Sequence, residues 1–228
     1  MILAGPMPAE PAAAELRDEL LARWNATLSH QEQMAVDLLS RYAEQHRRYH
    51  TGQHLARVLR AVDELADDQD LFLVRLAAWF HDAVYAIPAG QLPNEEASAR
   101  LALRDLSRAG LEQEDLTQVA RLVRLTATHT PGSRDPEGEL LCDADLEILA
   151  ASPGEYAAYT AAIREEYAAV PEAAFVAGRL EIMTPLVEGD IFRTTKGRAL
   201  TEAARVNVTA ECAELRERFE QLVGGSPP

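Results

Sequence analysis

At 228 residues, 47% of them hydrophobic, the chain has the length and apolar content for one large globular domain or two small ones. Its formal net charge of -15 offers no basic stripe to release counterions from a phosphate backbone, so a nucleic-acid polymer is excluded as a partner. Cys142 and Cys212 stand in neither a CxxC nor a CxxH pattern, and no apolar run nears the ~20 residues that span a bilayer, which leaves two reduced thiols in a cytoplasmic protein that does not enter membranes.

Residues 1–12, with no basic region and no apolar core, read as a flexible tail rather than a signal peptide. Apolar residues then recur at helical spacing almost everywhere, with no alternating strand pattern. A helix is predicted over 13–28. Ser29, with Glu32 three residues on, reads as the cap of a second. A third runs from about Thr51 to Ala66. "DLFLVRLAAWFHDAVY" is apolar nearly all round and reads as the buried central helix. "AIPAGQLP" is a loop, after which Asn94 caps a helix carrying Glu95 and Glu96 in its first turn. "TPGSRDPEG" reads as a surface loop from its turn residues. Further helices are expected at 112–128, 144–150, 154–169, 171–187 and 199–222, and 224–228 as a disordered tail. The fold class is therefore all-α: one bundle of about ten helices over 13–223, with helical additions at both ends.

Four of the six histidines stand out by their company. His30 and His46 follow a cap and end a helix, and read as surface residues. His50 and His54 are one helical turn apart, so both imidazoles leave one face. His81 is followed by Asp82 inside an apolar helix, where a charged carboxylate is costly without a partner. Asp143 and Asp145 in "LLCDADLEIL" repeat that oddity. A metal ion is the simplest common partner. Neighbouring helical side chains point about 100° apart, so His81 and Asp82 can flank one ion only near a helix end, which "HDAVYAIP" approaches. His54, His81, Asp82 and either Asp143 or Asp145 form a mixed N/O set suited to Mn, Fe, Co or Ni, or to Mg with added waters.

The ordered set "RRYHTGQH", "FHDAVY", "NEEASA", "TATH", "DADLEIL" and "ARVN" resembles the HD superfamily of metal-dependent phosphohydrolases, in particular its small stand-alone bacterial members. The likeness runs from Tyr42 to Asn207. It implies an HD-domain fold with His54, His81, Asp82 and Asp145 as ligands to one divalent metal. The similar motif of the cyclic-nucleotide phosphodiesterases implies that His50 is the general acid, and Asp82 belongs to the catalytic centre as well as to the metal. The activity implied is hydrolysis of a phosphoester of a small metabolite, a nucleotide among the candidates, by metal-activated water.

The chain departs from the pattern in two places. Thr51 replaces an asparagine and can fill the same cap. Tyr85 replaces the glutamate of the HDxxE motif found in the guanosine-polyphosphate hydrolases and 5'-nucleotidases, so neither activity transfers. Glu95 or Glu96 could supply a carboxylate, although acidic residues in a first turn also suit the helix dipole. His129 is a candidate for a second metal or for phosphate, or a core histidine at a helix end. Arg48 and Arg205 are candidate phosphate clamps, with Asn207 beside them. "LAAWF" and "YAAY" read as core packing. A monomer or a homodimer fits equally well. The alternatives are a non-catalytic metal or nucleotide sensor on the same fold and a diiron oxygenase-type HD protein.

Overall fold

The computed structural model describes residues 13–224, so both expected tails lie outside the described residues except for Gly224. Among the described residues there are ten α-helices and no strand. In chain order these are α1 (Ala13–Thr27), α2 (Glu32–Tyr42), α3 (Gly52–Leu65), α4 (Phe72–Phe80) and α5 (Asn94–Arg108). They continue as α6 (Gln113–Leu125), α7 (Pro136–Asp145), α8 (Pro153–Glu166), α9 (Glu172–Glu188) and α10 (Thr201–Gly224). Short 3-10 turns, Leu146–Ala150 and Gly197–Leu200, follow α7 and precede α10.

Two apolar clusters carry the fold. Helices α1 to α7 enclose the larger one, in which Trp24, Leu55, Val62, Trp79, Phe80 and Leu122 are fully buried. Trp24 and Trp79 meet edge to face at 5.0 Å. The smaller cluster gathers Ile148, Tyr156, Met183, Phe192 and Val208 from the first 3-10 turn, α8, α9, α10 and the loop before it. Leu200 packs on both. α4 is the buried central helix that its sequence suggested, but it stops at Phe80, and His81 to Val84 turn away.

Several boundaries differ from the sequence reading, each for a local reason. Ser29 does not cap α2. Trp24 Nε1 donates to the Gln31 carbonyl at 3.0 Å, His30 takes a left-handed φ of 64°, and the helix starts beyond them. Asn94 does not cap α5 either. Its amide accepts from Ala86 N and donates to Ala86 O, at 3.1 and 3.2 Å, which ties the loop back onto the helix start. The stretch "TPGSRDPEG" is only partly loop. Asp135 accepts the Gly138 N–H at 3.0 Å and Pro136 takes the first helical position, where its missing N–H costs nothing, so α7 starts inside it. Thr51 does cap α3, accepting from Gln53 N.

Candidate metal and catalytic site

The loop 43–51, the N-terminal turn of α3, the C-terminal end of α4 and the C-terminal end of α7 converge on one point between the two apolar clusters. His54 lies in the first turn of α3, His81 is the residue that ends α4, Asp82 follows it in the turn, and Asp145 is the last residue of α7. The helix end after Phe80 is what lets two adjacent residues face one centre.

His54 Nε2 and His81 Nε2 are 3.0 Å apart. Asp82 Oδ2 lies 3.4 Å from the first and 3.1 Å from the second. Asp145 Oδ1 lies 3.2 and 3.6 Å from the same two nitrogens. Ligand atoms ~2.1 Å from a shared ion stand ~3.0 Å apart at octahedral angles and ~3.4 Å apart at tetrahedral ones, so the spacing matches a coordination shell. The group His54, His81 and Asp82 can hold a metal ion; Asp145 adds a carboxylate that reaches both imidazoles.

The donor chemistry fits as well. His81 Nδ1–H donates to the Ala78 carbonyl at 2.7 Å, which fixes the ring and turns the Nε2 lone pair inward, the arrangement typical of a ligating histidine. His54 lacks that support, its Nδ1 being buried with no partner. Burial works against charge on all four groups. Even so, His81 and the neighbouring imidazoles hold the Asp82 and Asp145 carboxyls well below the usual range, and those carboxylates hold His54 and His81 above theirs. Two carboxylates and two imidazole nitrogens thus face one another in a buried space, and a divalent cation held there would supply positive charge to balance the carboxylates.

Asp143 and Asp145 have separate tasks. Asp143 is fully buried and accepts from Arg193 N at 2.9 Å, Thr194 N at 2.7 Å and Thr194 Oγ1 at 2.7 Å. It anchors the loop before α10, whose Arg193 side chain then holds the His129 carbonyl at 3.1 Å. Only Asp145 faces the imidazoles. A Cβ on Gly197 would collide with the Asp143 carboxylate and with Thr194 Oγ1, so this anchor requires glycine there.

His50 stands beside the centre. Its Nδ1–H donates to Glu166 Oε2 at 2.6 Å, and its ring stacks on Tyr85 at 4.1 Å. Glu166 Oε1 in turn accepts the backbone N–H groups of Arg48, Tyr49 and His50, at 2.8, 3.3 and 3.2 Å. Burial would raise the Glu166 pKa, but the His50 bond and those amides bring it below the usual range. Arg47, buried, donates to the carbonyls of His50 and Asp82 at 3.0 and 2.8 Å, so one guanidinium joins the two motif segments. His46, exposed as expected, bonds the Tyr85 carbonyl through Nε2 at 2.7 Å.

The centre opens into a cavity of about 670 Å³. His50, His54, Asp82, Glu95, His129 and Asp145 line it. His129 Nε2 reaches Asp145 Oδ2 at 2.8 Å. Three expected substrate contacts are not brought there. The Arg48 guanidinium is held by Glu165 and the carbonyls of Gln45 and Arg47. Glu96 bridges Arg100 and Arg124 on the surface. Arg205 is exposed and bonds the Gly189 carbonyl, while Asn207 donates to the carbonyls of Leu149 and Ala151. Of the "YAAY" tyrosines, both are buried and Tyr159 also lines the cavity. Glu166 and Arg47 were missed in the sequence, where each is one charged residue in a polar run.

The chain matches no family model, no curated protein and no solved structure. Among the described residues no helix is long and apolar enough to cross a membrane.

Proposed function

We propose that the protein is a cytoplasmic metal-dependent phosphohydrolase of HD type that hydrolyses a phosphoester of a small metabolite. The observation that carries this reading is the placement of an acid-capable histidine, His50, at the rim of a four-residue N/O ligand set in one cavity. The ordered motif resemblance supports it independently.

His54, His81, Asp82 and Asp145 would hold one divalent ion of the Mn, Fe, Co, Ni or Mg group. Such an ion supplies Lewis-acid polarisation of a phosphoryl oxygen and a water acidified for attack. The protein does the rest. Asp82 and Asp145 offset the ion's charge, so a phosphate anion meets a centre near neutrality. His50 presents Nε2, the ring nitrogen that Glu166 does not use, to the leaving oxygen. Glu166 holds the Nδ1 side of the ring and so orients Nε2. Tyr85 covers one face of the imidazole and limits its rotation. In the overall step the oxygen of water bonds to phosphorus and the ester P–O bond breaks. His50 passes a proton to the leaving oxygen, and solvent takes the proton of the attacking water and reprotonates His50. The products are the free alcohol and phosphate.

A second ion, if present, would have His129 and Asp145 Oδ2, now 2.8 Å apart, for ligands, one histidine where the diiron members carry more. Elemental analysis of purified protein, paired with a screen of phosphorylated metabolites, tests the proposal. One divalent ion per chain and metal-dependent phosphate release are expected. Metal without turnover of any phosphoester would support the sensor reading instead, and two irons with a redox-active spectrum would support the oxygenase reading.

A further inference from the structure

Besides the residues of the metal centre, the cavity is lined by many apolar side chains, Ile148, Ile163, Phe175, Ile182 and Leu186 among them. Several of the polar atoms on that lining are occupied within the protein, although the buried Tyr49 hydroxyl has no partner. Tyr85 and Tyr167 bond each other through their hydroxyls at 3.2 Å, and Thr126 Oγ1 donates to the Val123 carbonyl. Arg179 is the one Lys or Arg that lines the cavity, and it is engaged on both sides: by Glu211 at 2.8 Å and by the Tyr159 hydroxyl at 2.8 Å. The chain's single lysine, Lys196, is bonded to the carbonyls of Glu64 and Ala66 at the end of α3. The remaining charged groups on the wall, Glu95 and Glu181, are acidic.

A chain of phosphates leaving the metal centre would therefore meet carboxylates and no free cation. An uncharged apolar group would instead displace water from an aliphatic and aromatic wall, in a volume that suits a drug-sized organic molecule. We propose that the substrate is an ester of a single phosphoryl group whose organic part is uncharged and apolar, and that nucleoside triphosphates are rejected. This rests on the phosphohydrolase reading for its chemistry but not for its binding.

The test uses protein loaded with Mn²⁺ and two matched series with butyl to octyl chains: alkylphosphonates for binding by calorimetry, and alkyl phosphates for phosphate release. ATP serves as the comparison ligand in both. Affinity and kcat/KM are expected to rise about threefold to fourfold per added methylene until the cavity is filled. ATP is expected at least tenfold below octyl phosphate in kcat/KM. Ile182, 64% exposed at the cavity rim, can be changed without opening the core. Ile182→Lys should flatten the chain-length dependence and raise ATP binding severalfold. Phosphate release with no dependence on chain length, or with ATP preferred, overturns the inference and leaves the hydrolase reading standing. Phosphonate affinity that climbs without turnover of any ester upholds the apolar site and overturns the hydrolase reading. Flat affinity and no turnover overturn both.

Discussion

The Glu166 carboxylate lies 2.6 Å from His50 Nδ1 and at the same time closes over three consecutive backbone amides, those of Arg48, Tyr49 and His50. One side chain from the end of α8 therefore sets both the path of the loop that carries His50 and the orientation of its ring.

Glu166→Gln keeps the size and the amide contacts but loses the carboxylate on His50. It should retain metal and lower turnover by roughly tenfold to a hundredfold, since it disturbs a proton donor without deleting it. The pH dependence follows from the depressed Glu166 pKa. A carboxyl whose folded pKa lies below its unfolded one stabilises the fold above the ordinary value of about 4.5, and that stabilisation is lost as pH falls through the folded value. The difference in denaturation midpoint between wild type and Glu166→Gln should be full at neutral pH and should close in acid. A difference that widens in acid would contradict this.

Asp143 and Asp145 should separate cleanly on mutation. Asp145→Ala should lose bound metal. Asp143→Ala should keep the metal but cost about 2–4 kcal/mol of stability, because the Arg193 and Thr194 amides lose their acceptor. Metal analysis and urea denaturation of both variants decide the matter; metal loss in Asp143→Ala with retention in Asp145→Ala would reverse the assignment. Gly197→Ala should resemble Asp143→Ala in stability, since its methyl group meets the same carboxylate.

The motif residues of the centre were legible because buried acids and histidines inside apolar stretches are costly and so conspicuous. His81 and Asp82 were visible on that ground, as were Asp143 and Asp145 together, while His54 was marked by its one-turn spacing from His50. Position alone did not separate Asp143 from Asp145, both being out of place in "LLCDADLEIL"; the resemblance favoured Asp145, and the fold turns Asp143 to the loop before α10. Glu166 left no sequence signal. It sits in "REEY", where two adjacent acids near a helix end read as a solvated surface, and its partner lies 116 positions away. The arginines could be read either as phosphate clamps or as surface and packing groups, and in the fold Arg48 pairs with an acid and Arg205 bonds a carbonyl. The helical content was read well from periodicity. The start of α7 was lost because Asp135 and Pro136 look like turn residues and are equally good helix initiators.

Metal removal should destabilise the fold. Without the cation, the Asp82 and Asp145 carboxylates lose their counter-charge, and a ligand that binds only the folded state stabilises it by about 2.7 kcal/mol at a hundredfold excess over Kd. Chelated protein should melt about 5–10 °C lower and recover on addition of the metal. A Tm unchanged in protein verified to be metal-free would count against a site integral to the core.

The central claim is that His50 is a proton donor beside a metal rather than a ligand to it, and the most direct measurement is the leaving-group dependence of His50→Ala. The variant should fold and keep its metal. Its turnover of an alkyl phosphate, a poor leaving group, should fall by about 10²–10⁴-fold. Its turnover of a nitrophenyl phosphate, whose leaving group scarcely needs a proton, should fall far less. Loss of metal from His50→Ala, or an equal loss of activity toward both esters, would contradict the account.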